Sequence, residues 1–253
     1  DSIVEIKDDC YFINNGNKTS NGFTISTDAP ELIISNIIIE FDSTESTSGI
    51  LIEAAHTNNA AINNCKFINT IGSKSGAIQA ENIKQLSILD CIFDSCTKDD
   101  IPSFILSSNK SIIFARNTIQ NCKYLQYIGK IEFMQPDITQ IISDCKFIGN
   151  SQISSDNVNN NETSGLLIQQ TDSMHLIIIY EYCKFENNNV SSGCGGSICI
   201  CSQLPTKSPK IELEINNCTF SNNTAPYDGG ALYISLMQYI SIFGSEFYEN
   251  SCG

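Results

Sequence analysis

The tripeptide Cys-x-Phe recurs six times along the chain, at Cys10–Phe12, Cys65–Phe67, Cys91–Phe93, Cys145–Phe147, Cys183–Phe185 and Cys218–Phe220. Ser245–Phe247 is a further copy lacking only the sulfur, and Ile37–Ile39 and Asn117–Ile119 fit the frame with substitutions. The first positions of these nine segments step by 27, 28, 26, 26, 28, 38, 35 and 27 residues. Self-similarity at a fixed period is the signature of a repeat architecture, and it restricts the chain to a solenoid.

Each unit holds two apolar segments separated by turns rich in Asn, Ser and Gly. One leads into the Cys-x-Phe, as in ELIISNIIIEF, KQLSILDCIF, TQIISDCKF, HLIIIYEYCKF, KIELEINNCTF and YISIFGSEF. These runs are rich in Ile and aromatics, carry no helix-capping signal and alternate imperfectly with period two, which predicts strands. The other follows a small-residue turn: SGILIEA (48–54), SGAIQA (75–80), SGLLIQ (164–169), GGSICI (195–200), GGALYI (229–234) and, more weakly, NGFTIS (21–26). Glycine before a short apolar run supplies the backbone angles of a tight corner. Short strands without helices stack as coils of a parallel β-helix. A leucine-rich repeat has an overlapping period but wants Leu at most core positions, and here the core letters are Ile, Cys and Phe.

The expected fold is therefore all-β: one parallel β-helix domain over 1–253, with a period of about 26–28 residues and about nine coils. At roughly 4.8 Å per coil the rod is on the order of 40–45 Å long. The two long steps place insertions at 154–165 and 202–209, and solenoid insertions map to loops on one face, often the binding face. No amphipathic cap helix is evident at either end, so the 253 residues read as a piece of a longer repeat protein or as a unit that stacks on a partner.

A second column lies three residues beyond each Phe, at Asn15, Asp42, Thr70, Cys96, Cys122, Asn150, Asn188, Asn223 and Asn250. Asn tolerates left-handed backbone at turns, and stacked amides also bond to one another as a ladder. Both roles are structural. Cys96 and Cys122 interrupt the ladder on neighbouring coils and are the pair expected to meet as a disulfide. Of the twelve cysteines, the six in Cys-x-Phe share a face with their Phe and fit small buried hydrophobes. Off that column Cys194, Cys199, Cys201 and Cys252 are further disulfide candidates. Zinc is disfavoured there, because CxxC pairs and a nearby histidine are missing. Sequons at Asn17, Asn109, Asn161, Asn189, Asn217 and Asn222 are candidate glycosylation sites.

A formal net charge of −14 and a single arginine, Arg116, argue against nucleic acid as a partner. No run approaches the length of an apolar membrane span. Sequons, cysteines and acidity together favour an extracellular or cell-surface home.

FINN (12–15), FIGN (147–150), FENN (185–188), FSNN (220–223) and FYEN (247–250) match FxxN, while GGAL (229–232), GGSI (195–198) and SGAI (75–78) match or approach GGA[ILV]. In this pair of tetrapeptides the sequence resembles the repeats of the polymorphic outer-membrane protein family of chlamydiae. The resemblance covers nearly the whole chain and weakens between about 100 and 140. It implies a right-handed β-helix displayed at a cell surface and acting in adhesion. The membrane β-barrel of that family's context is not in this sequence, and similar repeats occur in surface proteins of protists.

The serious rival is a polysaccharide-cleaving β-helix enzyme. A polygalacturonase-like site would need GHG and RIK elements, which are absent, and the adjacent carboxylates Asp8–Asp9 and Asp99–Asp100 fall in expected turns. A pectate-lyase-like site would need acids clustered around a basic residue, and Arg116 has none beside it in sequence. His56 and His175 lie more than four coils apart, so they form no dyad. The sequence thus predicts no catalytic residue, cofactor or metal. Its partners would be a protein or glycan ligand at a surface or, in an extracellular filament or coat, neighbouring copies.

Overall fold

In the computed structural model, the Cys-x-Phe segments form one parallel nine-stranded sheet, each strand pairing with its counterpart in the next repeat. Phe12, Ile39, Phe67, Phe93, Ile119, Phe147, Phe185, Phe220 and Phe247 fall in strict register across it. The structure describes residues 3–14, 25–27, 29–41, 50–52, 57–70, 75–96, 102–124, 127–133, 138–152, 164–170, 175–200, 210–234 and 239–253. Every named element among them is a strand. The chain is a parallel β-solenoid.

The runs leading into Cys-x-Phe make a second face, including Glu31–Ser35, Asn59–Asn63, Ile138–Ser143, His175–Glu181, Lys210–Asn216 and Tyr239–Phe243. The segments after the small-residue turns, among them Ile50–Ile52, Ser164–Gln170, Ile198–Ile200 and Leu232–Ile234, pair in a line beside it. Ile78–Leu89 and Phe104–Ala115, each 12 residues long, run through both segments without a break and join them into one fifteen-stranded sheet. Among the described residues, a third, shorter side shows strands only at Lys123–Tyr124, Ser151–Gln152, Thr224–Ala225 and Ser251–Cys252. Coils with a strand on every side are thus, among the described residues, fewer than the nine expected. The insertion expected at 154–165 is shorter, since the strand Ser164–Gln170 has already begun; its remainder and the insertion at 202–209 lie outside the described residues.

The core is a thin apolar column. Along His175–Glu181 burial alternates residue by residue, with Leu176, Ile178 and Tyr180 inside, as period-two side-chain direction requires. Phenylalanine rings stack along the axis, with centroids 4.8 Å apart for Phe147–Phe185, 4.7 Å for Phe185–Phe220 and 4.5 Å for Phe220–Phe247. Phe67 and Phe93 form a separate stack at 5.2 Å, and Ile119 divides the two. In the coil of Ile119 the ring sits elsewhere: Phe114 occupies the register place of Ile88 and Ile142 on the neighbouring face.

Candidate functional site

One corner recurs in all nine repeats and a second in seven, and the same device builds both. The residue before each Cys-column position has a left-handed backbone: Asp9, Asn36, Asn64, Asp90, Arg116, Asp144, Tyr182, Asn217 and Gly244 have φ between 51° and 61°. At the second corner Asn69, Ser95, Asn121, Gly149, Asn187, Asn222 and Glu249 have φ between 53° and 63°. Asn, Asp and Gly dominate because they reach this region at least cost. This corrects one expectation. Asn150, Asn188, Asn223 and Asn250 do not take the left-handed angle; the residue just before each of them does.

At most of these corners the side chain after the left-handed residue points inward and bonds the coil behind it. At the second corner the Nδ2 of Asn150, Asn188, Asn223 and Asn250 donates to the carbonyls of Ile119, Phe147, Phe185 and Phe220 at 2.9–3.0 Å. The Oδ1 atoms of the last three accept both the backbone N–H and the amide of the asparagine one coil back, at 2.9–3.2 Å. The expected ladder therefore runs through Asn150, Asn188, Asn223 and Asn250; Asn15 lies outside the described residues. Corner backbone groups have lost their strand partners, and buried ones must be bonded, which is what the amides accomplish.

The cysteines do the same work. Cys96 Sγ donates to Phe67 O at 3.0 Å, and the Cys65, Cys91, Cys145 and Cys183 thiols reach Ile34, Ile62, Phe114 and Ile142 carbonyls at 3.3–3.8 Å. Asn117 stands in the thiol column and Cys96 and Cys122 stand in the amide column, and each takes the local bonding role. Cys96, Cys122, Cys194, Cys199 and Cys252 carry no disulfide bond in this structure, so the expected pairings are not shown, and Cys201 lies outside the described residues. The physical reason at Cys96 and Cys122 is direction: parallel side chains on stacked coils aim at backbone carbonyls and not at each other. Their exchangeability with Asn was the available signal in the sequence. Burial pushes the Cys91 and Cys96 thiols well up, and the hydrogen bond with Cys145 raises Cys183. A thiolate is disfavoured at these three positions.

The remaining candidates scatter over the outside. Asn189, Asn217 and Asn222 are exposed, Asn109 lies within Phe104–Ala115, and Asn17 and Asn161 fall outside the described residues. Arg116 grips Asp90 one coil back through Nε and Nη2, each at 2.7 Å, and the guanidinium holds that carboxyl below its usual range. His175 Nε2 lies 3.0 Å from Glu212, while His56 and Asp99–Asp100 lie outside the described residues. Asp8 and Asp9 both occupy left-handed corner positions. Arg116, His175 and Asn189 thus each bond a side chain on a neighbouring coil.

The turn before the last apolar segment explains the other motif. Gly229 has φ 62°, and a Cβ on Gly196 would stand 2.0 Å from the carbonyl oxygen of Gly230 on the next coil. The first glycine of GGA is needed for its backbone angle, the second for its lack of a side chain. In the unit 218–234 the stacked Phe220, the laddered Asn223, the Gly229–Gly230 turn and the strand Leu232–Ile234 follow in order.

Residues 217–235 match the Chlamydia polymorphic membrane protein repeat. No curated protein matches the chain. The polymorphic membrane protein repeat belongs to a surface-associated protein family, not to an enzyme family. Its FxxN is here the ring stack, the left-handed corner and the amide ladder, and its GGA is the tight return into the next strand.

One concave feature lies on the outside of the second face. It is a shallow depression of about 380 Å³ spanning the strands at Glu31–Ser35, Asn59–Asn63, Ile78–Leu89 and Phe104–Ala115.

Proposed function

We propose that the chain is a non-enzymatic extracellular display module, a rod that presents loops and faces for adhesion to a protein or glycan at a cell surface. One observation carries this reading: the buried polar columns are spent on joining coil to coil, and the polymorphic membrane protein repeat occurs on that same framework. A frame whose corner amides and thiols are spent in this way does mechanical work, and recognition falls to its outside. The segments at 154–163 and 202–209 are the natural points of contact.

The test is attachment of beads coated with the chain to cultured epithelial cells, compared with beads carrying a variant shortened within 154–163 and 202–209. Saturable attachment that the shortened variant loses supports display by these loops. Absence of attachment, or release of unsaturated product from polygalacturonate, overturns it; the second result favours the lyase alternative. Concentration-dependent growth of long assemblies in sedimentation would assign the chain to a filament or coat instead.

A further inference from the structure

The outward surface of the second face carries a column that changes character along the rod. It begins at Glu5, is largely apolar from Ile33 to Ile179, and turns polar again at Glu214 and Ser241, all in register. Ile113 is 53% exposed and Ile141 43%, unusual for isoleucine on a strand that has an apolar core behind it. Between Ile33 and Ile113 the column holds only Ala61 and Ser87, so the surface sinks over two coils. This is the depression of about 380 Å³. Its two isoleucine walls stand three coil steps apart, roughly 14 Å.

A second outward column borders the depression on one side, with Asn59, Gln85 and Ser111 on successive strands. They present donors and acceptors at roughly 4.8 Å intervals. Glu31 at the end is the one charged side chain in the lining, and no lysine or arginine contributes.

We propose that this depression binds a short neutral oligosaccharide. Its sugar rings lay their C–H faces on Ile33 and Ile113 over the low floor, and their hydroxyls meet Asn59, Gln85 and Ser111. Charge selects the class. With a formal net charge of −14 and no cation in the lining, the site repels phosphate, sulfate and uronate polymers. A bank of amides and a hydroxyl beside an apolar floor suits a ligand with one hydroxyl-rich edge and one apolar face. The volume lies near the lower end of small-ligand sites and the floor is shallow, which suits a few rings lying flat. The inference deepens the display reading and rests on it for its setting.

The experiment titrates the full chain with maltotriose, cellotriose, mannotriose and chitotriose by calorimetry, and repeats it on Ser87→Phe and Gln85→Ala. Both positions face outward, and unchanged melting temperatures confirm an intact rod. The expected result is saturable binding of at least one trisaccharide, weakened at least tenfold by Ser87→Phe, which fills the floor, and several-fold by Gln85→Ala. No saturable binding, or binding that Ser87→Phe leaves unchanged, overturns the proposal. So does a dimer in sedimentation that Ser87→Phe dissolves without any trisaccharide binding. Bead attachment separates the two readings: attachment without trisaccharide binding removes the depression and keeps display, whereas binding without attachment does the reverse.

Discussion

The backbone N–H of Cys122 donates to Oδ1 of Asn150 at 3.0 Å, so a thiol column becomes an amide column between consecutive coils without a break in bonding. The exchange is unequal in quality. Asn150 Nδ2 reaches Ile119 O at 3.0 Å, whereas Cys122 Sγ stands 4.0 Å from Phe93 O. A thiol is also the weaker donor.

That inequality sets the first prediction. Replacing Asn188 by Ala strands Phe147 O and the backbone N–H of Asn150, both held by the Asn188 amide. Leaving buried groups unbonded costs about 1–3 kcal/mol each, so Asn188→Ala should lose about 2–5 kcal/mol. Asn188→Cys should lose clearly less, since Cys96 and Cys122 fill the same column. Urea midpoints of the three proteins decide it, and equal losses for Ala and Cys would remove the equivalence.

The second prediction concerns volume. Ile88 with Phe93, Phe114 with Ile119 and Ile142 with Phe147 are successive coils carrying the same two side chains, with their places exchanged in the middle coil. Phe114→Ile alone leaves a cavity and Ile119→Phe alone overfills, each costing about 1–3 kcal/mol. The double variant restores the neighbours' pattern and continues the ring stack from Phe93 to Phe147. It should cost less than the sum by at least about 1 kcal/mol. Strict additivity in the double-mutant cycle would show that the exchange is not compensation.

Much of this was legible in the sequence. Period, strand positions and inward Phe follow from spacing alone, because parallel stacking repeats the same environment at each step. The roles of the corner residues were less legible. Asn at a turn has two structural uses, and only the backbone shows that Asn187 bends the chain while Asn188 bonds it. Cysteine pairing was less legible for a related reason, since proximity on neighbouring coils says nothing about where parallel thiols aim. The outward depression was illegible, as Ala61 and Ser87 mark a hollow only once Ile33 and Ile113 are known to share their column.

Tyr182 supplies a third prediction. It is 62% exposed at a left-handed corner with φ 52°, where neighbouring coils place Asp144 and Asn217. A bulky residue pays more than Asn for that backbone. Tyr182→Asn should therefore stabilise by about 0.5–1 kcal/mol, and Tyr182→Gly by less, because glycine also loosens the unfolded chain. Thermal midpoints read both changes. A fall for Tyr182→Asn would mean that the ring makes a contact worth more than the strain.

The last prediction is a pH dependence. Burial raises the Cys91 and Cys96 thiols above the ordinary cysteine value, and hydrogen bonding to Cys183 raises Cys218. The unfolded chain releases these protons near about pH 8.5, while the folded rod still holds them. The stabilisation is complete below that pH and is lost progressively as pH rises toward the folded values, because the unfolded state then binds fewer protons. Urea midpoints should fall on the alkaline side while the thiols of Cys91 and Cys96 resist iodoacetamide and the exposed Cys252 reacts. Cys91→Asn copies the solution the chain uses at Asn117 and removes one titrating group, so its alkaline slope should be shallower than that of the parent. An unchanged slope would locate the alkaline loss elsewhere than in the thiol column.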